Sequence, residues 1–199
     1  MPARAKAEQA EAASRVAAKI LAVVGEVPDS DERRRRNPAE AARERAATAA
    51  AQAATAAGTL ALPPGPLGWL TILPELIAVW RIQAHMVADI AAYYGRKRVL
   101  TQEQMLYCLF RHTASQAVRD LVVRVGERVI VRRATVRALN AVARRVGLKV
   151  TQRALARTAS RWLPVVGAIG VAAYAYYDTA QVARSSIELF ERDIELETL

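Results

Sequence analysis

Along most of this chain apolar residues recur at the three-to-four spacing of amphipathic helices, not at the alternation of strands. Residues 3–25 predict a first helix with Val16, Ile20, Val23 and Val24 to one side. Gly25, Pro28 and an Asp-Ser-Asp turn signal then break the pattern, so residues 25–38 predict a linker. Arg33 to Arg36 form a run there that is expected to be solvated and disordered, or to tether the chain to lipid or nucleic acid. Residues 39–57 are mostly Ala, a helix by propensity whose small side chains allow close packing. A breaker-rich apolar turn rich in Pro and Gly follows.

Residues 74–94 carry the clearest helical pattern. Pro74 suits a first helical turn, and Glu75 beside it complements the positive end of the helix dipole. Leu76, Val79, Ile82, Met86 and Ile90 fall near one face, and Gly95 is placed as a stop before the basic loop Arg96-Lys97-Arg98. Thr101 and Gln104, three apart, predict a capping box opening a helix with Met105, Leu106, Leu109 and Phe110. A further helix is expected over residues 117–133, with Val118, Val122, Val125 and Val129 opposite its arginines. Gly147 is expected to separate two short helices, the second with Leu148, Leu155, Ala159 and Trp162 facing inward. Residues 163–177 are uncharged and, at fifteen positions, suit a buried helix or re-entrant hairpin better than a membrane span. Their Tyr174, Tyr176 and Tyr177 would also suit a membrane–water interface. Asp178 interrupts this stretch, and helix is expected to continue to about Glu191, ahead of an acidic tail.

Composition supports an all-α reading. The hydrophobic fraction is 53%, much of it Ala, and β-branched runs are short. One cysteine, Cys108, excludes an internal disulfide framework and fits a reducing compartment. The first 25 residues lack the order of a signal peptide, because Glu8, Glu11, Arg15 and Lys19 interrupt their apolar stretch. No charged residue occurs across the 29 positions 46–74. Thr and Gln dilute the first half and Pro and Gly break the middle, so an interfacial or core-facing hairpin over residues 62–73 is expected there, not a spanning helix.

Charge changes this picture most. The net charge is +10, and the whole excess lies in residues 119–161, where eleven Arg and one Lys meet two acids. The remaining residues balance, with seventeen basic and seventeen acidic side chains. Within the block Arg124, Arg128 and Arg132 recur every fourth position, as do Arg145, Lys149, Arg153, Arg157 and Arg161. Basic amphipathic helices of this kind lie on anionic membranes, and a solvated face is the plain alternative. Nucleic acid is a weaker fit, since the block has no aromatic residue to stack on bases.

Catalytic chemistry finds little support. His85 and Asp89, four apart, share a helix face and with Asp178 would make the ligands of a metal-dependent hydrolase. No HExxH, paired cysteine motif or phosphate-binding glycine loop accompanies them, so no metal or cofactor is expected. Cys108 reads as a small buried side chain, and Gly167 and Gly170 as close-packing positions. Glu75, Arg81, His85, Asp89 and Asp178 each sit among apolar neighbours and are candidates for a polar core, with Arg81 expected to pair with one of the acids.

Two segments resemble the EcsC-like family. The first is LTILPELIAVWRIQAHMVADIAAYYG at residues 70–95, with Pro74, Glu75, Arg81, Gln83, Asp89, Tyr94 and Gly95 at its distinctive positions. The second is RWLPVVGAIGVAAYAYYDTAQVA at residues 161–183, with Pro164, Gly167, Ala168 and Asp178. The resemblance covers about residues 55–192 and implies a bacterial, α-helical protein named from a transporter operon, with no agreed catalytic residues to carry over.

The expectation is therefore a single helical bundle of six to eight helices. Residues 1–37 form a mobile N-terminal amphipathic arm with its basic linker, and residues 38–199 the EcsC-like domain. Its expected role is that of a non-enzymatic adaptor in the cytoplasm, peripheral to the anionic inner membrane face. A nucleic-acid binder using the Arg ladder is the first alternative and the metal-dependent hydrolase the second.

Overall fold

A computed structural model of the chain describes residues 2–60, 68–118, 121–125, 128–131, 134–158 and 164–193. Six α-helices make up nearly all of it: α1 (Pro2–Gly25), α2 (Pro38–Leu60), α3 (Gly68–Tyr93), α4 (Gln102–Val118), α5 (Val136–Thr158) and α6 (Pro164–Asp193). The all-α bundle expected from the sequence is what forms. Residues 61–67, 119–120, 126–127, 132–133 and 159–163 lie outside the described residues, and with them the Pro/Gly turn, Arg132, Ala159, Arg161 and Trp162; so does the tail from residue 194.

Local signals set the helix ends. Thr101 and Gln104 form the capping box: the Thr101 amide donates to Gln104 Oε1 at 3.0 Å, and the Gln104 amide donates to Thr101 Oγ1 at 3.3 Å. Gly95 ends α3 with φ at +76°, a left-handed conformation that a side chain would oppose. Pro74 does not begin its helix; α3 starts at Gly68 and continues through the proline, forgoing one backbone donor.

The helices pack around a main apolar core, with a smaller cluster of Ala53, Ala57, Val79 and Ala175 between α2, α3 and α6. Val16, Ile20 and Val24 of α1, Met86, Val87 and Ile90 of α3, and Leu106 and Leu109 of α4 are buried in the main core, with Val142, Val146 and Val150 of α5 and Phe190 of α6. Trp80 meets Phe110 edge-on at 5.4 Å between ring centres. Residues 70–93 lie in α3 and residues 164–183 in α6, and these two helices pack against each other. The Ala-rich α2 lies against α3 and α6 through Ala49, Ala53 and Ala57, and a Cβ at Gly58 would stand 3.3 Å from Ala172 Cβ.

Four sequence expectations give way. The N-terminal segment is no free arm: α1 packs on α5, and its apolar stripe is part of the core. Gly147 does not divide two helices but lies inside α5, where a Cβ would stand 2.7 Å from the Ala13 carbonyl oxygen. The helix over residues 117–133 is replaced by a hairpin, β1 (Val122–Val125) with β2 (Arg128–Val131), paired antiparallel with Val122 opposite Val131 and Val125 opposite Arg128. Six of these eight residues are Val or Ile, whose branching at Cβ is disfavoured in helices and suits strands. Gly126-Glu127 between them is the two-residue, Gly-first signature of a tight hairpin. Gly170 is exposed with nothing within 4 Å of a built Cβ, so it is no packing position.

The linker between α1 and α2 is not loose either. The Arg35 amide donates to the Tyr93 carbonyl at 3.1 Å, and the Arg35 guanidinium lies 5.6 Å over the Tyr93 ring. Lys97 Nζ pairs with Asp29 at 2.8 Å and donates to the Ser30 carbonyl. The segment is a strap fastened across the C-terminal end of α3, with Arg33 and Arg36 exposed and Arg34, also exposed, lying alongside Gly95.

Candidate functional site: a cationic helix face and two half-buried polar latches

The cations of α5 are held outward by the helix's own apolar stripe. Leu139, Val142, Ala143, Val146 and Val150 bury one side against α1 and α4, which turns Arg137, Arg144, Arg145 and Lys149 to the surface. No acid occurs anywhere in α5. Leu148, one turn beyond Arg144 and Arg145, is 41% exposed among them. Of the predicted ladder, Arg145 and Lys149 are placed on this face; for Arg153 and Arg157 the helical backbone alone is described, and for Arg124 and Arg128 the strand backbone. A spacing of four also advances about 40° around the helix per step, so a ladder of that period winds away from any one face. The face that forms keeps the true helical period, through Arg137, Arg144 and Leu148.

The acids of the apolar helices have a different setting. Asp178 of α6 accepts from three side chains. His112 Nε2 donates to Oδ1 at 2.7 Å, Gln83 Nε2 donates to Oδ2 at 2.9 Å, and the Tyr174 hydroxyl supplies a third hydrogen bond. Burial pushes the Asp178 carboxyl up, but the hydrogen bond and charge of His112, with the bonds from Gln83 and Tyr174, outweigh it and hold the pKa below the ordinary aspartate value. The cluster joins α3, α4 and α6, beside a kink in α4 at Ala114. Glu75, Trp80, Phe110, Thr113, Tyr174 and Asp178 lie around an adjoining cavity of about 50 Å³.

Asp89 forms the second latch. Arg45 Nε of α2 donates to Oδ2 at 2.7 Å, and the Ser30 hydroxyl of the strap donates to Oδ1 at 2.6 Å. A third ion pair, Arg111 with Glu188 at 2.6 Å, ties α4 to α6. Tyr94 completes the set by donating to Glu191 at 2.9 Å; burial, then that carboxylate, pushes its phenol well above the ordinary value.

Two predicted roles are overturned. Arg81 is exposed, and no acid of the described residues pairs with it; Asp89 takes Arg45 and Asp178 takes His112 instead. The hydrolase trio does not assemble: His85 is exposed, while Asp89 and Asp178 are engaged in separate latches. No group of three His, Cys, Asp or Glu able to hold a metal ion occurs among the described residues. Nor does the His112 cluster have relay geometry. The Thr113 hydroxyl, at 2.8 Å, and Asp178 meet the same ring nitrogen, whereas a relay needs the acid and the nucleophile on opposite nitrogens.

His112 and Arg45 were the functional partners that sequence reasoning missed. Their signal was weak, a lone His or Arg near a helix stripe, and nothing in the sequence places either opposite its acid. Searches of the chain against protein-family models, curated proteins and solved structures return no match.

Proposed function

We propose that this protein is a non-enzymatic adaptor that attaches peripherally to an anionic membrane surface through the outer face of α5. The supporting observation is the composition of that face: Arg137, Arg144, Arg145 and Lys149 exposed together, no acid in the helix, and Leu148 projecting among the cations. A solvated face would mix both signs of charge. An aliphatic side chain within a cationic field suits the boundary between lipid headgroups and acyl chains. No helix among the described residues is long and apolar enough to cross a membrane, which fits attachment from one side. The EcsC-like resemblance is compatible with this role, its two segments forming α3 and α6 behind the face.

Magnitude sets the kind of attachment. Each cation near an anionic surface contributes about 1 kcal/mol, so Arg137, Arg144 and Lys149 give about 3 kcal/mol, equivalent to a dissociation constant on the order of 10 mM. Such binding is reversible and sensitive to salt.

Co-sedimentation with vesicles tests the proposal. The chain should pellet with phosphatidylglycerol-containing vesicles and not with pure phosphatidylcholine, and salt at about 0.5 M should release it. Arg144→Glu with Lys149→Glu should weaken binding at least about tenfold. Equal affinity for neutral vesicles, or none for anionic ones, would overturn it. A steep salt-dependent shift of duplex DNA without vesicle binding would assign the face to nucleic acid instead.

A further inference from the structure

The two short basic runs of the sequence, Arg33 to Arg36 and Arg96 to Arg98, are far apart in the chain and adjacent in the fold. The Arg34 side chain lies 3.2 Å from where a Cβ on Gly95 would stand, and Lys97 is anchored to Asp29 at 2.8 Å. The first turn of α5 reaches the same end of the bundle. Glu103, in the first turn of α4, accepts the Ala134 amide at 2.8 Å, and Gln102 beside it donates to the Gly25 carbonyl at 3.1 Å. One end of the bundle thus gathers the strap, the turn at residues 97–99 and the start of α5.

Two apolar side chains project at that end; Ile169 and Tyr177, at 65% and 60% exposed, project from α6 but have no comparable cluster of cations beside them among the described residues. Val136 is 75% exposed and Val99 50% exposed. Beside them stand exposed Arg98 and Arg137, and across the strap Arg33, Arg34 and Arg36. Four exposed acids, Glu26, Asp31, Glu40 and Glu44, share the region, while Asp29 and Glu32 are matched by Lys97 and Arg35. The excess charge is modest, so what distinguishes this end is two projecting valines set among arginines.

We infer that the protein docks on an anionic lipid surface end-first, with Val99 and Val136 entering the headgroup region and the strap arginines engaging lipid phosphates around them. The inference rests on the proposed membrane attachment and deepens it. Arg137 belongs to both surfaces, so the α5 face and the bundle end form one continuous contact along an edge. Leu148 lies twelve residues beyond Val136, about 18 Å along the helix. End-first docking therefore places the valines deeper than Leu148.

Environment-sensitive dyes on single introduced cysteines read that depth in the full chain. Cys108 is buried, so the unmodified chain serves as the labelling blank. With phosphatidylglycerol vesicles, dyes at Val99→Cys and Val136→Cys should shift to the blue and be quenched by a lipid-borne quencher, while a dye at Gln52→Cys on α2 should do neither. Arg33→Glu with Arg98→Glu should lower vesicle affinity at least about tenfold. If the chain pellets with these vesicles and only a dye at Leu148→Cys responds, end-first docking is overturned and attachment through the α5 side stands. If the chain does not pellet with them, both fall together.

Discussion

Asp178 on α6 and Arg144 on α5 are both charged residues on helices with a clear apolar stripe, and their surroundings differ completely. Asp178 is met by donors from α3, α4 and its own helix. Arg144, like Arg137 and Lys149, faces outward, and no acid of the described residues pairs with it. Position in the bundle makes the difference. Helix α6 is enclosed by α2, α3 and α4, so a carboxylate between them must be satisfied inside the protein. Helix α5 packs on α1 and α4 and leaves its other side to whatever lies outside. The first kind of charge holds the fold, and the second is available for binding.

Removing an inward charge is expected to have the largest effect on stability. Asp178→Ala leaves the His112 N–H and one Gln83 amide hydrogen bond without their acceptor, and should destabilise the protein by about 3 kcal/mol. Asp178→Asn keeps one acceptor oxygen and should lose less. Chemical denaturation at neutral pH measures both. The same residue sets a pH dependence. Its folded pKa lies below the unfolded value, so its contribution is complete above about pH 4 and is lost as pH falls through the folded value. The gap between wild type and Asp178→Asn should therefore narrow in acid. A gap that stays constant down to about pH 2 would mean that the ionised carboxylate is not what stabilises the cluster.

The next effect separates two glycines on the two helices. A methyl at Gly147 would meet the Ala13 carbonyl at 2.7 Å and the Ala17 amide nitrogen at 3.0 Å, both backbone atoms that cannot rotate aside. Gly147→Ala should cost about 2 kcal/mol through displacement of α1, despite the better helix propensity of Ala. At Gly170 nothing lies within 4 Å, and Gly170→Ala should stabilise by about 0.5–1 kcal/mol. Thermal melts of the two variants should move in opposite directions. A Gly147→Ala protein as stable as wild type would mean that α1 does not approach α5 this closely.

What the sequence made legible was local. The capping box at Thr101, the stop at Gly95 and the buried stripe of Val16, Ile20 and Val24 each depend on residues within a turn or two. The latches were not legible, because Arg45 and Asp89 are 44 positions apart and His112 and Asp178 are 66 apart. Spacing on one helix says nothing about the azimuth of another, so nothing in the sequence ranks Arg45 above Arg81 as a partner for Asp89. The hairpin was missed for a different reason. Its arginines fall every fourth residue, which mimics a helix, whereas its run of Val and Ile carried the stronger β preference. Of the candidate binding surface, the composition was readable and the geometry was not. That α5 faces outward and that its first turn lies at the same end of the bundle as the strap are consequences of packing.

The smallest expected effect on stability is also the sharpest test of the contrast. Lys149 sits one turn beyond Arg145, and like charges at that spacing repel by about 0.2–0.5 kcal/mol. Lys149→Glu replaces the repulsion with an attraction. Because the side chain is exposed, no buried group loses a partner in exchange. The variant should therefore be as stable as wild type or more stable by about 0.3 kcal/mol, while its affinity for anionic vesicles falls. Stability and binding would then move in opposite directions at one residue, which a merely solvated face does not produce. For Asp178 the two would fall together only as far as unfolding removes the binding surface. A Lys149→Glu protein that loses stability in step with vesicle affinity would place Lys149 among the charges that hold the bundle and erase the distinction between the two sets.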